Sequence, residues 1–555
     1  MKSLKIYLGL ILVAGLFSCS KGGGGSNPPP VVPTSFSFNS VTVNGVSNGF
    51  NYVNINSKPI IKLSFSAAIN HATVSNGITI KSSAGAAVSY STSYQNNDST
   101  VVISPSTLAY LTKYTLAIST DLKSSKNGAL QTAVNINITT SIDSTNKFPT
   151  ITDDQLLTLV QQQTFKYFWD FGHPTSGLAR ERNTSGDVVT TGGSGFGVMA
   201  IIVGINRQFV TRADGLARMQ KIVAFLKNTA QTFHGAFPHW MNGVTGVVVP
   251  FSTQDDGADI VETSYMMEGL LTARQYFNGS GADETQLRAD INTIYNRVEW
   301  TWFTQGQNQL TWHWSPDYGF AINQRIIGWD EALITYVMAA SSPTYPISKI
   351  VYTHGWANDG GIKNGNSYFG VKLPLGPVEG GPLFFEHYSF LGINPNGLSD
   401  TYAGYDTQTK AHSMINYDYC VANPANNTGY SADCWGLTAS DTQNGYNASS
   451  PTSDVGTIAP TAAISSMPYT PTQSLQALRF FYYKLGDKMW GPYGFYDSFD
   501  LNNGWYASSN LAIDEGPIID MIENYRTGLL WSLFMSCPEV KTGMKGLGFT
   551  SPNLN

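Results

Sequence analysis

Hydrophobic residues follow two different rhythms along this chain. Between residues 35 and 145 they recur at every second position: Ile61, Leu63 and Phe65, then Tyr114, Leu116 and Ile118, then Val134, Ile136 and Ile138. A period of two puts alternate side chains on opposite faces of a strand, one buried and one wet. Ser, Asn and Gly clusters separate these runs, and several short strands at that spacing predict a small all-β sandwich. From Thr152 the rhythm lengthens. Thr152 and Gln155 have capping-box spacing, and Leu156, Leu157, Val160, Thr164 and Phe168 follow at helical intervals. Further helices are predicted near 196–209, 214–229, 256–278, 284–304, 329–342, 404–421, 473–486 and 516–536. Long Gly- and aromatic-rich loops lie between them. The expectation is a mostly α domain over 150–555 whose helices pack in pairs.

The segment ahead of both rhythms reads as an address and a tether. Lys2 and Lys5 precede an apolar run from Ile6 to Phe17, too short to span a bilayer. The run ends in Leu16-Phe17-Ser18-Cys19, which resembles a bacterial lipobox and makes residues 1–19 a lipoprotein signal with Cys19 lipidated. Residues 20–34, SKGGGGSNPPPVVPT, combine flexible Gly with extended Pro. The chain is therefore expected to be exported and lipid-anchored, in the periplasm or on the outer-membrane surface of a Gram-negative bacterium. Export permits disulfides. Cys420 and Cys434 are close enough in sequence to pair or to stay thiols, and Cys537 is left as a buried thiol.

Composition narrows the function. Only 13% of residues are charged, against about 25% in typical domains, while 12% are aromatic. That balance suits a neutral, hydroxyl-rich ligand. A formal net charge of -6 disfavours nucleic acid, which requires a basic surface. TGGSGFG at 191–197 lacks the strand and βαβ unit of a dinucleotide site, and no GxSxG elbow is present. His234 and His239 lack metal-ligand spacing, so neither metal nor cofactor is assigned. A monomer is expected, touching the membrane only through its lipid.

Three acidic segments carry candidate chemistry. In QDDGADIVE, Asp255, Asp259 and Glu262 fall at i, i+4 and i+7, on one face of the predicted helix, with no Lys or Arg nearby on that face. Stacked like charges destabilise a helix unless a ligand or the helix dipole compensates them. In GWDEALITYV, Glu331 sits beside Trp329, where an aromatic wall would desolvate it and keep it protonated, as a general acid requires. In AIDEGPIID, Asp514 precedes Gly516-Pro517 and serves equally as a helix cap or as a carboxylate on a pocket rim. Aromatic clusters surround these segments, and Trp240, Trp312, Trp314, Trp329 and Trp505 are candidate stacking platforms for sugar rings.

Read together, SGFGVMAIIVGINR, QDDGADIVETSYMMEGLL, GWDEALITYV, WGLTASD, GTIAPTAAISSMPYTP, MWGPYGFYDSF and DEGPIIDMIENYRTGLLW resemble the bacterial glucoamylase-like glycoside hydrolases, a family that includes the β-1,2-glucanases. The motifs occur in order from about Ile151 to Phe549. The sandwich at 35–145 resembles bacterial immunoglobulin-like domains, in pattern only. The resemblance implies an (α/α)6 barrel with an acidic groove and inverting hydrolysis of a β-1,2-linked glucan. It makes Glu331 the general acid, Asp514 the general base, and Asp255 and Asp259 groove carboxylates needed for activity. Proton transfer in such enzymes can run through a substrate hydroxyl or a water chain. Glu262, Asp441 and Tyr496 are further expected substrate contacts. Glu515 stands where many relatives have Gln, which leaves Asp514 intact. A polysaccharide lyase, which needs a basic groove, and a non-catalytic glycan-binding lipoprotein are the competing readings; another glucan or glucoside is the competing substrate. Endo or exo cleavage stays open.

Overall fold

The computed structural model describes residues 35–555 and divides the chain into two compact units that meet between Ser141 and Ile142. The predicted leader, Cys19 and the tether lie outside the described residues. No helix among the described residues is long and apolar enough to cross a membrane.

The first unit is the expected sandwich. Its strands are β1 (Phe38–Val43), β2 (Asn51–Ile55), β3 (Ile61–Phe65), β4 (Ile78–Ser82), β5 (Tyr90–Gln95), β6 (Thr100–Pro105), β7 (Lys113–Ile118) and β8 (Val134–Thr140). One sheet runs β1-β3-β6-β5 and the other β2-β8-β7-β4. All pairings are antiparallel except β2 with β8. The alternation read from sequence is the packing pattern: Ile61, Leu63 and Phe65 of one sheet meet Leu116, Ile118, Ile136 and Ile138 of the other in one core.

The second unit is helical. In chain order its helices are α1 (Asp153–Trp169), α2 (Thr191–Asn206), α3 (Arg212–Asn228), α4 (Ile260–Tyr276), α5 (Ala282–Asn296), α6 (Leu333–Ser341), α7 (Lys349–His354), α8 (Tyr405–Ala422), α9 (Pro460–Ser465), α10 (Pro471–Met489), α11 (Ala512–Arg526), α12 (Leu529–Met535) and α13 (Pro538–Leu547). The Thr152 capping box is present, with the hydroxyl accepting from the Gln155 N–H and the Gln155 side chain accepting from the Thr152 N–H. Inner segments touch in the cycle α2, α4, α6, the turns at 383–390, α9, α11 and back to α2. An outer layer packs behind them, with α1 on α2 and α11, α3 on α5, α10 on α9 and α13 on α6. This is the paired ring expected of an (α/α)6 barrel, with one inner position filled by 3-10 turns instead of a regular helix.

Inner helix α2 carries no charged residue because it is buried all round. Every residue of α2 from Thr191 to Ile205 is buried. Helices α2 and α4 cross so closely that a β-carbon on Gly195 would strike the Tyr265 carbonyl, and one on Gly269 the Gly195 carbonyl. Several predicted helices change. The 284–304 helix stops at Asn296, and the 329–342 helix starts only at Leu333, after Glu331. The 256–278 helix begins only at Ile260, because Asp259 is its cap. The 516–536 helix is two, broken at Gly528, which holds φ 67°. It also begins before the Gly516-Pro517 start signal, which places Asp514 and Glu515 inside its first turn. Cys420, Cys434 and Cys537 are all buried free thiols, so the pairing considered for the first two is not formed.

Candidate active site

The segments that enter the inner helices gather at one end of the ring, around a cavity of about 440 Å³. Thr190 caps α2, Glu262 opens α4, Glu331 precedes α6, Tyr388 comes from the 3-10 turns, and Leu511 and Ile513 open α11; all line it. A hairpin pairing Ala439–Thr442 with Gly445–Ala448 adds Ala439, Tyr446 and Ala448. Helix N-termini carry partial positive charge, so acids collected there are partly compensated. This is why a low-charge chain can concentrate carboxylates at one spot.

The first acidic segment is held by α4. Asp259 Oδ1 accepts the N–H groups of Val261 and Glu262, each at 2.9 Å, while Oδ2 lies 3.0 Å from His239 Nδ1. His313 Nε2 lies 3.5 Å from Asp255 and 3.7 Å from Asp259. Glu262 Oε2 accepts the Gly192 N–H at 2.6 Å across the α2–α4 crossing. Asp255 lies in the turn before the helix, so the three acids do not share one helical face as the spacing suggested; the turn brings them together instead. Burial pulls the His239 proton affinity down, but Glu262, Asp259 and Asp255 overcome it and raise the imidazole to about 9. Burial raises Glu262 to about 6 and also lifts Asp255. Burial pushes Asp259 up, but the His239 hydrogen bond and the His313 and His239 charges outweigh it and hold the carboxyl below its ordinary range.

His239, set aside in the sequence for want of partners, thus has two. The ligand atoms of His239, Asp255 and Asp259 lie within 4.8 Å of one another, a spacing that suits a small cation. Asp259 already spends one oxygen on the helix cap and the other on His239.

Glu331 also lines the cavity. Its backbone carbonyl accepts from Ser389 Oγ and, at 3.5 Å, from the Tyr265 hydroxyl, which fixes the approach to α6. Burial first, and then the neighbouring Asp330 charge, holds its carboxyl well above the ordinary range. Trp329, the aromatic wall expected beside it, does not line the cavity. That indole is buried against Trp356, Phe390 and Tyr405 in the core, outside the cavity lining. Asp514 lies beside Ile513 and within electrostatic reach of the cavity-lining Tyr388 and Tyr446. Burial, then Asp497, pushes its carboxyl well up.

The predicted aromatic and polar contacts divide into three groups. Trp240 and Trp312 line the cavity, with Phe251 beside Trp240 at 4.9 Å between ring centroids. Asp441 and Trp505 line a second, more open depression of about 370 Å³. Asp441 pairs there with Arg182 at 3.2 Å and accepts from Ser509 at 2.6 Å. Trp314 packs on His234 and Phe233 instead, and Tyr496 folds over the turn at Gly491. Sequence reasoning missed Arg182, Tyr265, Tyr388, Tyr446 and Asp497. Asp497 sat in MWGPYGFYDSF, a stretch quoted only for the family resemblance; Tyr388 and Tyr446 carried no local signal.

Comparison with known proteins agrees with this architecture. A family model described as putative glucoamylase matches residues 323–538, and one for a bacterial Ig-like domain matches residues 39–146. A putative glucoamylase structure from Bacteroides uniformis is 57% identical, with TM-score 0.73, and covers 74% of this chain and 100% of that one. The endo-beta-1,2-glucanase of Chitinophaga pinensis is 48% identical, with TM-score 0.71, covering 73% of this chain and 100% of that one. An exo beta-1,2-glucooligosaccharide sophorohydrolase from Parabacteroides distasonis is 46% identical over 419 residues, 71% of this chain; the match spans only 58% of that relative's length. With the acidic aromatic cavity at its centre, the chain belongs to the bacterial glucoamylase-like glycoside hydrolase family that includes β-1,2-glucanases, preceded by a bacterial Ig-like domain.

Proposed function

We propose that this protein hydrolyses β-1,2-linked glucan with inversion at the anomeric carbon. The observation that supports the reading is Glu331 in the lining of one aromatic-walled cavity, with the buried Asp514 next to the lining residue Ile513 and the lining residue Tyr388 in electrostatic reach of both acids. Glu331, kept protonated by burial, donates to the leaving glycosidic oxygen. Asp514 activates a water, directly or through a hydroxyl or water chain, and the water attacks from the other face. Trp240 and Trp312 offer flat apolar walls for sugar rings, and Glu262 offers a hydroxyl acceptor. Asp259 and Asp255 act through His239, holding an imidazolium beside Glu262. Two of the relatives, the Chitinophaga pinensis endo-beta-1,2-glucanase and the Parabacteroides distasonis sophorohydrolase, are named for β-1,2-glucans or their oligosaccharides, which supports this linkage over starch.

Incubation of the chain from residue 20 onward with linear β-1,2-glucan and with starch tests the reading. A ladder of short β-1,2-oligomers marks endo cleavage and sophorose alone marks exo cleavage. Initial product of α configuration by proton NMR supports inversion. No cleavage of the β-1,2 polymer, or cleavage of starch instead, overturns the substrate assignment. We further propose a monomer that is exported and anchored through lipid on Cys19, the residue that ends the apolar run. Fatty-acid labelling that survives Cys19→Ala sinks the anchor, and sedimentation as a dimer sinks the monomer.

A further inference from the structure

Three segments run from the central cavity into the second depression. Glu181 and Arg182 line the cavity, and the next two residues, Asn183 and Thr184, line the depression. On the 439–448 hairpin, Ala439 and Tyr446 line the cavity, while Asp441 and Gly445 line the depression. On the approach to α11, Ser508 and Ser509 line the depression, and Leu511 and Ile513 the cavity. Successive residues are only about 3.8 Å apart, so the two spaces adjoin along all three segments. Hydrogen bonds fix the segments to one another: the Asn183 N–H donates to the Asn510 carbonyl at 3.0 Å, and Asn183 Nδ2 to the Ser508 carbonyl at 2.8 Å. The Arg182–Asp441 ion pair, at 3.2 Å, lies at the junction, with one partner in each lining.

The depression holds one large aromatic, Trp505, half-buried in its lining. The strand that carries it is rigid. Trp505 pairs with Asp500 across a short hairpin, and the Asp500 carboxylate accepts the Asn502 N–H at 2.7 Å and Asn503 Nδ2 at 2.6 Å. Next to it, Tyr506 stacks on the buried Phe499 with 6.4 Å between ring centroids. The indole is therefore placed before a ligand arrives, which lowers the ordering cost of binding. Short polar side chains surround it, and the one acid among them, Asp441, is neutralised by Arg182. A flat apolar face ringed by compensated polar groups suits a neutral sugar ring.

We propose that this depression is a further glucose-binding subsite, with Trp505 as its stacking platform, that holds the part of a β-1,2-glucan chain extending out of the cavity past the Arg182–Asp441 pair. The inference rests on the glucan reading above. A short oligomer fills the cavity alone, whereas a longer one fills both spaces, so the depression sets a preference for chain length. No bond is made or broken there. Binding remote from the reacting carbon is the same in the ground and transition states, so it lowers KM and leaves kcat unchanged.

The test is Trp505→Ala, assayed on purified β-1,2-glucooligosaccharides from the shortest that wild type cleaves to long oligomers. The ratio of kcat/KM for long over short substrates should fall about tenfold, through the KM of the long ones. Trp505→Tyr keeps a flat face and should restore most of the ratio. Trp240→Ala removes a wall of the cavity itself, and should lower kcat/KM at every length and leave the ratio in place. An unmoved ratio in Trp505→Ala, or an equal loss at all lengths, overturns the subsite. Should Trp505→Ala not fold, Ser508→Leu decides: this position is exposed in the lining, and the larger side chain narrows the depression. The same fall in ratio supports the subsite, and an unchanged ratio refutes it. The two readings fail differently. If wild type cleaves no β-1,2-oligomer, the glucan reading falls and takes the subsite with it, whereas cleavage by wild type with an unmoved ratio in the variants removes the subsite alone.

Discussion

Two of the inner helices each carry an acid at the cavity and another deep in the ring. On α4 these are Glu262 and Glu268, and on α11 Asp514 and Asp520; in each case the second acid lies about 9 Å further along the axis. Burial raises the proton affinity of all four. Their surroundings differ. Glu262 lines the cavity and Asp514 adjoins it, both backed by groups that can pass or hold a proton. Glu268 accepts the Gly392 N–H at 2.8 Å, and both oxygens of Asp520 lack a hydrogen-bond partner among the described residues. The nearby Glu523 is paired with Arg207 at 2.6 Å. A shifted carboxyl therefore marks a functional site only where it also meets a space a substrate can enter. The deep acids are an internal control for that rule.

The sharpest break comes from removing the proton donor. Glu331→Gln keeps size and hydrogen-bonding capacity but carries no transferable proton, so kcat on β-1,2-glucan should fall at least about a thousandfold with the fold intact. Steady-state kinetics beside a thermal melt check this, and full activity in a folded variant would end the acid assignment. Two of the tryptophans expected to stack on sugar rings should then separate. Trp329→Ala opens a hole in the core next to Trp356 and should cost about 3–5 kcal/mol of stability, read by urea unfolding. Trp240→Ala removes a cavity wall instead, and should raise KM about tenfold, equivalent to about 1.4 kcal/mol, with melting nearly unchanged. If the two variants exchange phenotypes, the cavity has been drawn on the wrong side of Trp329.

How much of this was legible in the sequence follows from which physics is local. The sandwich strands and most helices announce themselves through period, because burial of one face is a local rule. The carboxylates were visible too, since stacked acids without partners are conspicuous in a chain so poor in charge. Helix starts were less visible. Asp259 looked like part of a helix, whereas one of its oxygens caps the helix and the other meets His239, a tertiary contact that sequence cannot show. The roles of Trp329, Tyr388 and Asp497 were illegible for the same reason. Which tryptophan faces the cavity is set by the closure of the ring and by the 439–448 hairpin, elements with no signature in the residues they join.

The smallest expected effect tests the deep acids. Asp520 is held above its ordinary range by burial first, then by Glu268 and Glu523, so the folded protein binds its proton more tightly than the unfolded chain does. Its contribution to stability is fully present below the unfolded value near pH 4 and is lost as pH rises toward the folded one. Asp520→Asn keeps the shape and removes the titration. Melting curves from pH 5 to 9 should therefore show the variant gaining on wild type as pH rises, by a few degrees at the alkaline end, while kcat stays within about twofold. A variant that instead melts lower at every pH would mean that the Asp520 carboxyl is held by a donor, such as an interior water or cation, that the asparagine cannot satisfy. A large fall in kcat would mean that the deep acids take part in the chemistry, and the contrast between the two ends of the ring would have to be abandoned.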